Sequence, residues 1–137
     1  MTPPTSLKPP ITCHVLDTTL GRPGANIPVT LTYHGTTTSP SSTSPPPTFT
    51  ATTNADGRIT SWTPQSTTLR EIFDADAGTQ KFSLRFDTAA YWEGRGVEDF
   101  FFGEVEVRFL VREGARGEHF HVPVLLGPFS YCTYRGS

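Results

Sequence analysis

Near neutral pH, the chemistry open to this chain rests first on its four histidines, His14, His34, His119 and His121. Imidazole is the side chain whose ordinary pKa lets it give and take protons there. His119 and His121 are two residues apart in Glu118-His-Phe-His-Val-Pro123, hence on one face of a strand. Two imidazoles on one face suit half of a zinc site or an acid–base pair. No Cys-x-x-Cys or Asp-rich loop supplies further ligands, and the plain alternative is a polar strand face with Val122, Val124 and Leu126 turned to the core. In Ile11–Leu16, alternation puts Ile11, Cys13 and Val15 on one face and Thr12, His14 and Leu16 on the other. If the first face is core, His14 points to solvent or to a neighbouring subunit. Arg58 follows the turn Asn54-Ala-Asp-Gly57, which presets the direction of its guanidinium fork, whether solvated or anion-binding. His34, at the mouth of a loop, reads as inert. The chain ends on Tyr134-Arg-Gly-Ser137, a permanently charged planar group beside a phenol, which suits a ligand better than a solvated tail.

Such side chains need a rigid frame, and the texture of the sequence is β. Ile27–Tyr33, Lys81–Asp87 and Glu104–Val111 alternate apolar and polar residues, as half-buried strands do. Ile11–Leu16, Phe49–Thr53, Ile59–Trp62, Phe120–Leu126 and Ser130–Tyr134 bring the set to about eight short strands. Turn signals separate them at Gly21–Gly24, Asn54–Gly57 and Arg112–Gly117. The spacing predicts one short helix, over Thr88–Arg95. The expected architecture is all-β, a two-sheet sandwich with one short helix. Residues 1–10 read as a flexible N-terminal segment and 11–137 as one domain. Within that domain Thr36–Thr48, rich in Pro, Ser and Thr, reads as a floppy surface loop that buries too little to offset its ordering entropy.

Composition narrows the partners. With 137 residues the chain is long enough for one hydrophobic core. Charged residues are 18% and the net charge is −2, with no basic stripe, which argues against nucleic acid and anionic membranes. No apolar stretch approaches the roughly 20 residues of a membrane helix. The start, MTPPTSLKPP, has no apolar h-region, so secretion is not expected. Cys13 and Cys132 read as free thiols of a reducing compartment, each between strand-like neighbours, with no catalytic use expected of either.

Along nearly the whole chain, from Ile11 to Ser137, these stretches resemble the transthyretin-like proteins, and within them the 5-hydroxyisourate hydrolases of urate breakdown. The likeness lies in His14-Val-Leu-Asp-Thr-Thr-Leu-Gly-Arg-Pro23, Asp56-Gly-Arg58, Phe100-Phe-Phe102 ahead of Glu104-Val-Glu-Val, and His119-Phe-His-Val-Pro-Val-Leu-Leu126. The ending Tyr134-Arg-Gly-Ser137 completes it; plasma transthyretins lack this ending and these histidines. The sequence departs from many relatives at Gly103, where they carry Pro, and at Gly127 and Cys132, where they carry Ser. None of the three matches a catalytic position.

The resemblance implies a transthyretin-like sandwich assembled as a homotetramer, with each active site built by two subunits. It implies His14, Arg58 and His121 as the catalytic trio and Tyr134, Arg135, Gly136 and Ser137 as the substrate-binding tetrapeptide. The expected reaction is hydrolytic ring opening of 5-hydroxyisourate to 2-oxo-4-hydroxy-4-carboxy-5-ureidoimidazoline, on the way to allantoin. No metal or organic cofactor is expected, and the compartment is cytoplasmic or peroxisomal. The alternative is a transthyretin-like small-molecule carrier without catalysis, which predicts an apolar cavity instead of a polar one.

Overall fold

The structure, a computed structural model, describes residues 8–39, 45–75 and 77–137. Two sheets face each other. The first strand, β1 (Ile11–Asp17), buries Ile11, Cys13 and Val15, as its alternation requires, and leaves His14 and Leu16 half-buried on the other face. Along one edge β1 pairs antiparallel with two short strands, β2 (Arg22–Pro23) and β5 (Arg58–Ile59). Along the other it pairs parallel with β8 (Phe120–Leu126), which in turn takes β9 (Tyr131–Thr133) antiparallel. The second sheet is antiparallel throughout, in the order β4 (Thr48–Thr52), β3 (Pro28–Thr36), β6 (Gln80–Phe86), β7 (Val105–Val111). Between the sheets lie Val15, Leu31, Phe49, Phe82, Leu84 and Leu126, nearly or fully excluded from solvent. The two-sheet sandwich is therefore as the sequence leads one to expect. The loop expected over Thr36–Thr48 joins β3 and β4 of the second sheet; its residues 40–44 lie outside the described residues, as do residues 1–7 of the expected N-terminal segment. Residues 8–10 are described, and the Pro10 carbonyl accepts from the Phe120 amide at the start of β8.

Among the described residues there are two α-helices where the sequence suggests one. The expected helix forms as α2 (Thr88–Gly94), capped by the Asp87 carboxylate accepting from the Ala90 amide, with Trp92 fully buried. The unexpected one is α1 (Ser66–Ala75). Its β-branched start is a poor helix signal. Leu69 and Phe73 lie on one apolar stripe and are fully buried, so packing supports what propensity does not. Two distant side chains satisfy its last carbonyls: Gln80 Nε2 donates to Ile72 and Arg116 Nη1 to Phe73. Neither donor is visible from the local sequence.

α2 is tied to the end of β1 by Asp17, whose side chain is fully buried. Its carboxylate accepts from the Thr19 amide and hydroxyl, the Tyr91 hydroxyl and Arg95 Nη1 at 2.8 Å. Burial alone would raise the pKa of Asp17. The Thr19 and Tyr91 hydroxyls, the Thr19 amide and the Arg95 cation outweigh it and hold the carboxyl below its ordinary value. A carboxyl with a depressed folded pKa stabilises the fold above its unfolded value, about 3.9, and loses that contribution as pH falls through the folded one. Asp17→Asn should therefore cost about 2–3 kcal/mol in urea unfolding at pH 7. The gap to the wild type should narrow below about pH 4; an equal gap at every pH would contradict the charge-based account.

Candidate active site

Strand register brings the chemistry-bearing residues together. In the parallel pair of β1 and β8, Thr12 stands opposite His121. In the antiparallel pair of β1 and β5, His14 stands opposite Arg58. Two residues from β1 thus collect one partner from each side.

The turn before β5 aims Arg58 by a compact set of bonds. Asn54 Oδ1 accepts from the amides of Asp56 and Arg58, at 2.9 and 3.0 Å, and the Asn54 carbonyl accepts from Gly57. Gly57 has φ +73°, and a β-carbon there would lie 2.4 Å from the Val15 carbonyl oxygen. Only glycine lets the turn lie this close to β1, where the Gly57 carbonyl accepts from the Val15 amide at 2.8 Å. The Arg58 side chain makes no hydrogen bond or ion pair with any described residue. Its charge is left for something else.

The chain end is held as firmly. β9 pairs with β8 from Tyr131 to Thr133, and the Thr133 hydroxyl donates to the Pro123 carbonyl at 2.8 Å. The Gly136 amide then donates to the His121 carbonyl at 2.8 Å, in an isolated bridge to β8. A β-carbon on Gly136 would lie 2.8 Å from both the His121 ring and the Pro123 ring, so this contact too requires glycine.

A cavity of about 450 Å³ opens on this face, lined among others by Lys8, Thr12, Arg58, His119, His121 and Ser137. His121 lies in the middle of a row of three imidazoles. Its ring is 6.4 Å from His14 on one side and 6.4 Å from His119 on the other, at interplanar angles of 25° and 20°. The Thr12 hydroxyl sits 2.9 Å from His119 Nε2 and 2.8 Å from His121 Nδ1. All three rings have pKa values below the ordinary histidine value. For His121 and His14, burial is the main cause and the Arg58 cation the next. For His119, burial leads and Lys8 follows. The imidazoles are therefore neutral at pH 7, the form that can accept a proton. Among the described residues no group of three or more His, Cys, Asp or Glu is arranged to hold a metal ion.

Not every residue singled out in the sequence reaches this cavity. Gly136 touches His121 and Ser137 lines the cavity. Tyr134 and Arg135 line a neighbouring cleft of about 420 Å³, which meets the first at His121. Arg135 is paired with Glu118 at 2.9 Å and lies over the Phe120 ring, 4.6 Å from its centroid. His34 is in the second sheet, with Nε2 2.8 Å from the Ser83 hydroxyl, away from the site. Thr12, which strand alternation sets on the face of His14 without marking it as functional, is brought into the site by its contacts with the two imidazoles. Its position on the same face as His14 was the available signal.

The profile of the HIUase/Transthyretin family matches residues 11–136. A probable 5-hydroxyisourate hydrolase of Schizosaccharomyces pombe is 38% identical over 138 residues, covering 98% of this chain and 97% of that protein. The solved structure of Klebsiella pneumoniae 5-hydroxyisourate hydrolase superposes with a TM-score of 0.65 at 26% identity, covering 93% of this chain and 98% of the other. A sea bream transthyretin solved in complex with thyroxine gives a TM-score of 0.68 at 24% identity, covering 93% and 94%. The backbone alone does not separate the hydrolase from the transthyretin, since the two superpose about equally well. With the profile spanning the whole sandwich and a relative this similar over its full length, the chain belongs to the HIUase/Transthyretin family.

Proposed function

We propose that this protein hydrolyses 5-hydroxyisourate, opening its six-membered ring to give 2-oxo-4-hydroxy-4-carboxy-5-ureidoimidazoline. The observation that carries the reading is the Arg58 guanidinium, without a partner among the described residues, on one cavity with His121, whose ring His14 flanks at 6.4 Å. A carrier of apolar ligands has no use for that combination. The full-length likeness to a probable 5-hydroxyisourate hydrolase of Schizosaccharomyces pombe points the same way.

The chemistry follows from the groups present. The substrate is a planar, oxidised purine in which water must attack a carbonyl carbon bonded to a ring nitrogen. Water is a weak nucleophile at pH 7, so a neutral imidazole that takes its proton lowers the barrier. His14 and His121 share this work, one orienting or deprotonating water and the other serving the leaving nitrogen. The tetrahedral adduct carries an oxyanion, and Arg58 offers a fixed cation with directed N–H donors. Ser137 and Gly136 close the cavity at the chain end, with Tyr134 and Arg135 in the adjoining cleft available to the far side of the ring or to a neighbouring subunit. A homotetramer with sites completed between subunits fits an imidazole row that lies on a sheet face and not deep in one chain. Domain 11–137 then acts as a single hydrolase unit. No helix among the described residues is long and apolar enough to cross a membrane. Both cysteines are free, Cys13 buried and Cys132 exposed, which fits a reducing compartment, cytosol or peroxisome.

Generating the substrate in place from urate with a urate oxidase, and following its ultraviolet decay, tests the reading. The protein should accelerate decay well beyond the spontaneous rate; a folded protein that does not would overturn it. His14→Asn should lower kcat by about 10²–10⁴-fold with the fold intact by circular dichroism. A chain ending at Thr133 should lose most activity, since it removes Ser137 and the Gly136 bond to His121.

The pH profile has a definite sign. Burial and Arg58 keep His14 and His121 neutral, so kcat/KM should be flat through neutral pH. It should fall only below about 6.5, the ordinary histidine value. Arg58→Gln should cost about 10²–10³-fold in kcat, as loss of an oxyanion partner does. It should also move the acid limb upward, because the same cation depresses both imidazoles. A limb that stays put in Arg58→Gln would show that Arg58 does not act on them.

A further inference from the structure

The charge of the cavity is one-sided. Among the described residues that line it are two cations, Lys8 and Arg58, and no Asp or Glu. The two stand at opposite ends. Arg58 is opposite His14, well along β1. Lys8 lies three residues ahead of Ile11, and Ile11 is opposite Phe120, the residue after His119. The rings follow the same order: the Arg58 charge acts on His14 and His121, and the Lys8 charge on His119 and His121. The cavity is thus a trough with a row of imidazoles along it, His121 at its centre, and a cation at each end.

Lys8 is held at its end by the chain that follows it. Pro9 and Pro10 are both buried, and their rings fix φ. A residue before proline is confined to extended backbone, so the direction of Lys8 is preset. The Pro10 carbonyl accepts from the Phe120 amide at 2.8 Å, which ties the segment to β8, and Pro9 lines the cavity. The Lys8 ammonium makes no hydrogen bond or ion pair with any described residue. Glu118, the carboxylate next to His119 in sequence, is taken by Arg135 at 2.9 Å. Arg70, whose charge also reaches His119, lies over the Phe73 ring, 5.6 Å from its centroid, and is not among the residues lining the cavity.

The geometry points to Lys8 as a substrate-binding residue: its ammonium holds the carbonyl oxygen of the five-membered ring, remote from the scissile bond, while Arg58 holds the oxygen of the carbonyl under attack. The assignment rests on the hydrolase reading for the identity of the substrate, but not for the anion site itself. A planar oxidised purine has carbonyls at both ends, so each end meets a cation when the ring lies along the imidazole row. When an acidic ring N–H is lost, the charge spreads onto those oxygens. Two cations and no carboxylate therefore select the anionic form of such a ring over a neutral one. The Lys8 contact is far from the bond that breaks, so it is made equally in the ground state and the transition state and sets KM more than kcat.

Urate, planar and anionic at neutral pH and bearing the same five-membered-ring carbonyl, is the probe that reads this site without turnover. Titration calorimetry on the full chain should show urate binding that weakens as sodium chloride is added. Lys8→Met keeps the length of the side chain and removes its charge. It should weaken urate binding about tenfold, flatten the salt dependence, and raise KM for 5-hydroxyisourate by about the same factor with kcat within about twofold. Lys8→Arg should restore most of both, and Lys8→Glu should weaken binding further. No urate binding by the wild type, urate affinity and KM unchanged in Lys8→Met and Lys8→Glu, or a fall in kcat at constant KM would overturn the assignment. Urate binding that depends on Lys8 in a protein that does not hydrolyse 5-hydroxyisourate would sink the hydrolase reading and leave the anion site standing.

Discussion

The site depends above all on the register of β1, which is hydrogen-bonded along both edges to strands that carry site residues. Its parallel pairing with β8 sets Thr12 against His121, and its antiparallel pairing with β5 sets His14 against Arg58. A slip of one residue on either side would turn the inward set of side chains outward and scatter the row. The register is secured by burial: Ile11, Cys13 and Val15 on β1 and Val122, Val124 and Leu126 on β8 are all sequestered between the sheets. Hydrophobic burial on one face thus specifies geometry on the other. Rigid strands hold the chemistry, and the loops contribute mainly by being pinned to them.

Two glycines do that pinning. Gly57 lets the turn lie against the Val15 carbonyl and so points Arg58, while Gly136 lets the chain end lie against His121 and Pro123. In both cases the missing β-carbon permits a backbone hydrogen bond to a site strand, from Val15 to Gly57 and from Gly136 to His121. The ordered terminus is explained by this contact: without a side chain at position 136, the last residues add to the sheet instead of fraying.

Charge is handled in two opposite ways. Asp17 is buried with a full complement of donors, Thr19, Tyr91 and Arg95, and serves to fasten α2 to the end of β1. Arg58 is left without a partner among the described residues, and its unneutralised charge adds to burial in lowering the pKa values of His14 and His121. A carboxylate beside Arg58 would cancel both effects, the anion site and the depressed imidazoles. The arrangement is consistent with a site that handles a developing negative charge with neutral bases.

Much of this was legible before any fold was known. Period-two alternation identified the core face of β1 and placed Thr12 and His14 together on the other, and Asn-Ala-Asp-Gly announced the turn that aims Arg58. These are local properties, carried by side-chain direction and turn chemistry within a few residues. The helix α1 was not legible, because its stability comes from burying Leu69 and Phe73 and from carbonyl partners at Gln80 and Arg116. Nor could the sequence show that Arg135 turns to Glu118 while Ser137 faces the cavity, or that one hydroxyl serves two imidazoles 107 and 109 residues away. The sequence by itself determined the longer strands, their buried faces and the residue types able to move a proton, but not the two-residue β2 within an expected turn. Which of them meet, in which register and with which ring nitrogen, was decided by the tertiary structure, since pairing between distant strands depends on packing the whole core and not on any local preference.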